Sequence, residues 1–300
     1  MTSPSKVLQT PAVEDVAQNL YSQLMQVMGV KHPGWLSWGL FQVLQTPTRR
    51  MSALLVELDQ NISQMGLNAA VKIFAHKLIS NVRLIDDENI PPHGPVMVIC
   101  NHPAAYDVVI LASAIPRDDL QILASDIPII QTFPHISRQI IPVPYNIPSR
   151  LQTVRSAIQH LKNDGAIFLF PRGNVEPDPS VSPGALESLS GWSQSIELFL
   201  RIVPNTSTVV AMASGMLSVK WYKNPLIRLW KKYEQRQKVA EIFQIASQLF
   251  TGNPARATPM VNFSHPLSVN ELGGEESPPG TLLSCLIAQA SNLLSQHPYV

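Results

Sequence analysis

The chain is poor in charge, in cysteine and in long apolar runs, and each shortage excludes something. Charged residues occupy 14% of the 300 positions and hydrophobic residues 45%, against roughly 25% charged in ordinary soluble domains. Such a chain favours apolar surroundings. Lys plus Arg number 22 and Asp plus Glu 21, a formal net charge of +1, so no global field selects a polyanionic partner and any basic surface must be local. Cys100 and Cys285 are too few for a disulfide framework and are expected as buried thiols. No apolar stretch approaches the roughly 18 to 20 residues of a spanning helix, and the run from Val108 to Ile115 is far too short. Met1 to Gln18 lacks the charged start, apolar middle and small-residue cleavage site of a secretory signal, which makes the cytoplasm the expected compartment. Repeats and low-complexity tracts are absent, and the 26 prolines are dispersed as turn markers.

What is present changes texture near residue 80. From Ala12 to about Leu78 the pattern is helical: Met51, Leu54, Leu55, Leu58, Ile62 and Met65 recur at three- and four-residue steps, one face of a helix. Glu14 to Met28 and Ala69 to Leu78 read similarly, with Pro33-Gly34 and Thr46-Pro47 as punctuation, predicting several short helices. Beyond this segment, short β-rich runs follow at Val82–Ile85, Val96–Cys100, Leu120–Ala124, Ile140–Val143, Ala166–Phe170, Thr208–Ala213 and Met260–Phe263. Helical stretches lie between or after them at Asp107–Ala114, Ser149–Lys162, Ala185–Arg201 and Leu282–Leu294. Alternation of this kind predicts an α/β fold, a mixed, mostly parallel sheet flanked by helices. The expected division is a helical segment over 1–80 and an α/β domain over 81–300.

The segment Val96 to Asp107 reads as a buried strand ending abruptly at Asn101, then a turn and a helix, a usual location for α/β active sites. Pro103 suits a first helical turn, where its missing N–H costs nothing. Asp107 then lies about one turn along, so its carboxylate can approach one imidazole nitrogen of His102 and leave the other free. A neutral imidazole oriented by a carboxylate is a competent base near neutral pH, and the reaction it suits is removal of a proton from an alcohol attacking a carbonyl. The plainer reading is that His102 and Asp107 cap a helix.

Asn101-His102-Pro103-Ala104-Ala105-Tyr106-Asp107 resembles the first motif of the glycerolipid acyltransferase superfamily, in which His and Asp are separated by four residues. Three further segments resemble that family's motifs. Ile140-Ile-Pro-Val-Pro-Tyr145 is similar to the second, Ala166-Ile-Phe-Leu-Phe-Pro-Arg-Gly-Asn174 to the third, usually Phe-Pro-Glu-Gly-Thr-Arg, and Ile202-Val-Pro204 to the fourth. The resemblance covers about residues 81 to 265. It implies direct transfer of a fatty acyl group, with His102 as general base and Asp107 as its orienter. The donor would be an acyl thioester on coenzyme A or acyl carrier protein, and the acceptor a lysophospholipid-like or other lipid hydroxyl. Neither a cofactor, a metal nor a covalent enzyme intermediate is implied. The implied substrate-binding residues are Phe170, Pro171, Arg172, Gly173, Asn174, Tyr145, Arg150 and Pro204. The chain departs from the family where Arg172 replaces the usual Glu, Asn174-Val175 replaces Thr-Arg, and Pro144-Tyr145 replaces Asp-Arg. Arg172, or Arg150 and Arg138 beside the second motif, are the candidates to meet a phosphate or carboxylate. Gly173 suits a turn, and Pro204 a wall.

Other chemistries find less support. A serine hydrolase lacks its Gly-x-Ser-x-Gly elbow, since Ser214 before Gly215 has no preceding glycine. A metal hydrolase on His102, Asp107 and His93 or His135 lacks paired ligand spacing, and His135 and His265, each beside a proline, read as loop residues. A different class, a non-catalytic lipid or acyl-carrier binding protein, is the alternative to the enzyme. Lys220 to Lys238 carries seven basic residues against one acid, with Trp221, Tyr222, Trp230 and Tyr233 interleaved. That mixture suits a membrane surface or an acidic acyl carrier protein; the competing reading is a solvated helix face whose aromatics fill the core. Nucleic acid is set aside at so low a net charge. Trp35, Trp38, Leu40 and Phe41 offer a second apolar surface, for a bilayer, an acyl tunnel or plain packing.

Overall fold

A computed structural model of the protein describes residues 10–29, 35–79, 81–144, 146, 150–252 and 257–298. Three helices come first: α1 (Val13–Val27), α2 (Trp35–Met65) and α3 (Leu67–Leu78). Next are β1 (Arg83–Ile85), β2 (Val96–Cys100), α4 (Asp107–Ala114), β3 (Gln121–Ser125), α5 (Pro128–Gln131), β4 (Ile140–Val143), α6 (Arg150–Lys162) and β5 (Ala166–Leu169). The chain continues through α7 (Ala185–Ser188), α8 (Ser195–Ile202), β6 (Ser207–Ser214), α9 (Val219–Tyr222), α10 (Tyr233–Thr251), β7 (Met260–Phe263) and α11 (Thr281–Leu294).

The strands form one seven-stranded sheet in the order β1-β7-β6-β2-β5-β3-β4. Every pair is parallel except β6 with β7. Side chains alternate across a strand, and here both faces are covered. Val96, Val98 and Cys100 of β2 join Phe74 of α3 and Ile110 of α4 in one core, with partly buried α2 residues such as Leu54 against it. Met97 and Ile99 face the other way, into a core built with Leu161 of α6, Phe199 of α8 and Leu286 of α11. Burial on both faces is why these strands read as continuous apolar runs rather than alternating ones.

Parallel pairing has a consequence for position. Val96 is in register with Ala166 of β5 and with Ser207 of β6, so the carboxyl ends of the three central strands lie along one edge. The turns that follow them, beginning at Asn101, Phe170 and Gly215, therefore converge.

Three local expectations are corrected. Thr46-Pro47 does not end a helix: Pro47 lies inside the 31-residue α2. An internal proline costs about 3 kcal/mol of helix, and α2 is held across it by tertiary packing, with Leu44, Thr48 and Ser52 buried and Arg50 bonded to the carbonyls of Leu249 and Phe250 at the end of α10. The stretch Ala185–Arg201 is not one helix but α7, a 3-10 turn at Leu189–Gly191 and α8, because Trp192 turns extended at φ −66°, ψ 140°. Lys220–Lys238 likewise divides into α9, a 3-10 turn at Ile227–Leu229 and the first turns of α10. Cys100 is buried as expected, whereas Cys285 is half-buried.

The turn after β6 depends on Gly215. Its φ is +70°, and a Cβ there would stand 2.4 Å from the carbonyl oxygen of Thr258. A Gly215→Ala protein is expected to lose at least about 1–2 kcal/mol of stability, read as a lower denaturation midpoint; an unchanged midpoint would contradict the turn geometry.

Candidate active site

The site begins where β2 stops. Asn101 carries the ladder one step further with its side chain: Nδ2 donates to the carbonyl of Ala213 at 2.9 Å, and Oδ1 accepts from the Ala213 N–H at 2.7 Å. The main chain is thereby free to turn away from β6. The next five residues carry backbone polar groups into a largely buried setting, with Ala105 exposed, and each buried group needs a partner. The N–H of His102 donates to Glu176 Oε2 at 3.0 Å, and the N–H of Glu176 returns to the His102 carbonyl at 2.7 Å. Pro103 has no N–H, and its carbonyl accepts from Gln237 Nε2 at 3.0 Å. Ala104 N–H donates to Asp107 Oδ2 at 3.1 Å. Ala105 and Tyr106 donate to the two oxygens of Glu241 at 2.9 and 3.0 Å.

Within this frame the imidazole is fixed on two sides. His102 Nδ1 lies 3.1 and 3.0 Å from the two oxygens of Asp107, so Nδ1–H is the donor and Nε2 carries the lone pair. Phe170 stacks on the ring with centroids 4.0 Å apart and an interplanar angle of 22°. Among the described residues Nε2 has no hydrogen-bond partner, and the side chain keeps 20% of its surface exposed while Asp107 has none. The ring is thus oriented by a carboxylate, keeps part of its surface exposed and has no protein partner on Nε2 among the described residues, features that suit a general base.

The charges around it are unusual for so apolar a chain. Burial pushes the His102 pKa down, but the Asp107 carboxylate and its hydrogen bond, with Glu241 and Glu176 behind, outweigh this and hold it above the usual histidine value. Burial raises the Asp107 carboxyl, with His102 and the N–H groups of Ala104 and Val108 pulling the other way. Burial also raises Glu176, against hydrogen bonds from Trp192, His102 N–H and Ser188 and the nearby Arg172. Glu241 is pushed up to about 7, first by burial and then by Asp107, against the N–H groups that it accepts. The Cys100 thiol is held far up by burial and by Asp107 and Glu176, which leaves it inert.

The structure brings His102, Asp107 and Phe170 into contact. Pro171, Arg172, Gly173 and Asn174 form the turn after β5, in which the Gly173 N–H closes on the Phe170 carbonyl at 3.0 Å. Gly173 has φ +69° with open space around it, so it serves the turn. Arg172 is half-buried, and Gly173 and Asn174 are exposed. Arg150 is not brought to His102: it opens α6 beyond the edge strand β4, three strands from β2, with Nε on the Pro144 carbonyl at 3.2 Å. Arg138, in the 3-10 turn before β4, lies on the same edge. Pro204 precedes β6, at the sheet edge opposite to His102. Tyr145 lies outside the described residues. Ser214 is 1% exposed and bonds to His297 Nδ1 at 2.5 Å, while His297 Nε2 meets Asn262 at 2.6 Å, a buried network that ties the carboxyl-terminal segment to the sheet. Among the described residues no group of three His, Cys, Asp or Glu is arranged to hold a metal.

Sequence reasoning missed Glu176, Gln237 and Glu241. Gln237, Glu241 and Gln244 recur at helical spacing, a polar stripe that ordinarily faces solvent, yet they are buried. Val175 to Pro179, an acid-and-proline run that reads as a surface loop, is buried throughout.

Fold and site define an α/β protein with an oriented His–Asp pair at the carboxyl edge of its sheet. Residues 81–228 match the model of the acyltransferase family. Among solved structures it is similar to the crystal structure of the 1-acyl-sn-glycerophosphate (LPA) acyltransferase PlsC from Thermotoga maritima, with a TM-score of 0.46, 13% identity, and coverage of 94% of this chain and 95% of that one. No curated protein matches.

Glu241 supplies a pH test. Its folded pKa of about 7 lies above the ordinary 4.5, so the folded state holds the proton more tightly. The stabilisation is complete below about pH 4.5 and is lost as pH rises through 7, an effect on the order of 3 kcal/mol. Glu241→Gln does not titrate. Denaturation at pH 5 and pH 8 should therefore show the parent losing stability relative to the variant as pH rises; a difference independent of pH would refute the assignment.

Proposed function

We propose that the protein is an O-acyltransferase that moves a fatty acyl group from an acyl thioester to the hydroxyl of a lysophospholipid-like or other lipid acceptor. One observation carries this reading: a single imidazole with Nδ1 held by both oxygens of a buried carboxylate and Nε2 free of protein partners. Nε2 accepts the acceptor hydroxyl proton as its oxygen attacks the thioester carbonyl, and Asp107 stabilises the imidazolium that forms. Collapse of the tetrahedral adduct breaks the carbon–sulfur bond, and the imidazolium proton leaves with the thiol. The match of residues 81–228 to the acyltransferase family supports acyl transfer as the reaction class. Coenzyme A and acyl carrier protein both remain donors compatible with this chemistry.

The test is thiol release from acyl-CoA or acyl carrier protein in the presence of lysophospholipid, with and without His102→Ala. The substitution should lower the rate by about 10² to 10⁴. Thioester consumption that ignores it would instead favour a non-catalytic lipid or acyl-carrier binding protein.

A lipid acceptor calls for access to a lipid surface, and the structure has no helix among its described residues long and apolar enough to cross a membrane. The segment around α9 suits peripheral contact at an anionic bilayer. Trp221 and Trp230 are only half-buried and Tyr222 is buried, against Phe243 and Ile227, so the aromatics pack inward. The exposed apolar residues are Leu226 at 71% and Leu229 at 75%, with Val219 beside them in sequence, among the exposed cations Lys220, Lys223, Arg228 and Lys232. Trp38 of α2 is also exposed and Phe41 meets Tyr21 edge-on at 5.1 Å; the side chains of Trp35 and Leu40 lie outside the described set. Apolar tips ringed by cations bind anionic bilayers by insertion and charge together. A Leu226→Ser/Leu229→Ser protein should float with anionic vesicles less than the parent does, and high salt should weaken both. Equal recovery of the parent with neutral and anionic vesicles would remove the idea.

A further inference from the structure

We infer that a cavity beside the His102 loop is a phosphate subsite whose cations come largely from outside the segment that the family shares. The inference rests on the proposed acyl transfer, since it names the chemistry of a substrate group. The cavity has a volume of about 510 Å³ and is walled by Arg172, Lys231, Arg236, Tyr222, Tyr233 and Ser188, among others. Its wall adjoins the site directly: Ser188 Oγ donates to Glu176 Oε1 at 3.1 Å, and the other oxygen of Glu176 holds the His102 N–H. Arg172 stands two residues beyond Phe170, the ring stacked on the imidazole.

Three cations face this space against one carboxylate of its lining, Glu187. Among the described residues none of the three forms a salt bridge. Arg236 is nevertheless fixed, with Nε donating to the Trp230 carbonyl at 3.2 Å and its guanidinium 5.7 Å from the centre of the Tyr222 ring. That anchoring leaves its terminal nitrogens unassigned. Arg172 and Glu234 both interact with the Tyr233 hydroxyl. Fold stability does not account for the grouping, because Lys231, Lys232 and Arg236 crowd the amino end of α10, where the helix dipole disfavours positive charge.

Two guanidinium forks and an ammonium converging on one space match a multi-oxygen anion. The space is far larger than a free phosphate needs and falls within the range of about 300–1,000 Å³ typical of small-molecule sites, so the phosphate arrives attached to a larger group. Both partners in the proposed reaction carry such groups: the nucleotide or pantetheine phosphates of the donor, or the headgroup phosphate of a lipid acceptor. Lys231 and Arg236 lie beyond residue 228, where the family match ends, so two of the three cations come from the start of α10 and the residues just before it.

Calorimetric titration of the full chain with coenzyme A, with glycerol phosphate and with inorganic pyrophosphate tests the assignment without turnover. Binding of at least one probe is expected, weakened about tenfold or more in Lys231→Gln/Arg236→Gln and weakened by salt. Coenzyme A as the tight probe assigns the phosphate to the donor, and glycerol phosphate assigns it to the acceptor. Should the double variant fail to fold, exposed Lys231→Glu decides alone: it should weaken the same probe, and unchanged affinity overturns the subsite. Failure of all three probes to bind the parent also overturns it. Transfer activity that depends on His102 without probe binding would sink the subsite and leave the enzyme; probe binding lost in the variant, with no transfer under any condition, would do the reverse.

Discussion

The site depends on one constraint: a strand that ends inside the protein must hand its backbone hydrogen bonds to something. The β2–β6 pairing ends at Cys100, so the N–H groups of His102, Ala104, Ala105 and Tyr106 need other acceptors. Carboxylates from three different parts of the chain receive them instead, Asp107 from the helix that follows, Glu176 from the loop after β5 and Glu241 from α10. An unpaired buried N–H costs about 1–3 kcal/mol, so these acceptors fix the path of the loop as firmly as packing does. The orientation of the imidazole follows from that path.

The same solution sets the electrostatics. Collecting Asp107, Glu176 and Glu241 around one histidine raises the proton affinity of every member: burial raises the three acids, and on the ring the carboxylates outweigh the opposite effect of burial. Backbone donors take up part of that negative charge, which is how a chain with few charged residues can bury several acids together. The oriented base and the frame holding it are therefore one electrostatic unit.

Much of the architecture was legible because the central strands are apolar on both faces and bounded by turn residues; β2, β4 and β7 have the expected limits. His102 and Asp107 were legible for a different reason. Their contact is local, fixed by a turn and the start of a helix, so spacing made the contact readable, while its catalytic reading came from the motif resemblance. Glu176 and Glu241 reach the loop from 74 and 136 residues away in sequence, and no local pattern encodes such an encounter. The polar stripe of α10 even argues the wrong way, since periodicity reports which residues share a face and not whether that face looks toward water. Pro47 failed as a helix end for a related reason: propensity was overridden by packing that only the folded chain supplies.

Helix α10 lies wholly beyond residue 228, yet Gln237 braces the Pro103 carbonyl and Glu241 receives the Ala105 and Tyr106 amides. The His102–Asp107 motif and its scaffolding thus belong to different stretches of polypeptide. Anyone transplanting the His102–Asp107 segment into another framework, or trimming the protein to a minimal version, would have to bring this distant brace along, because the motif holds the imidazole–carboxylate pair but not the means of standing still.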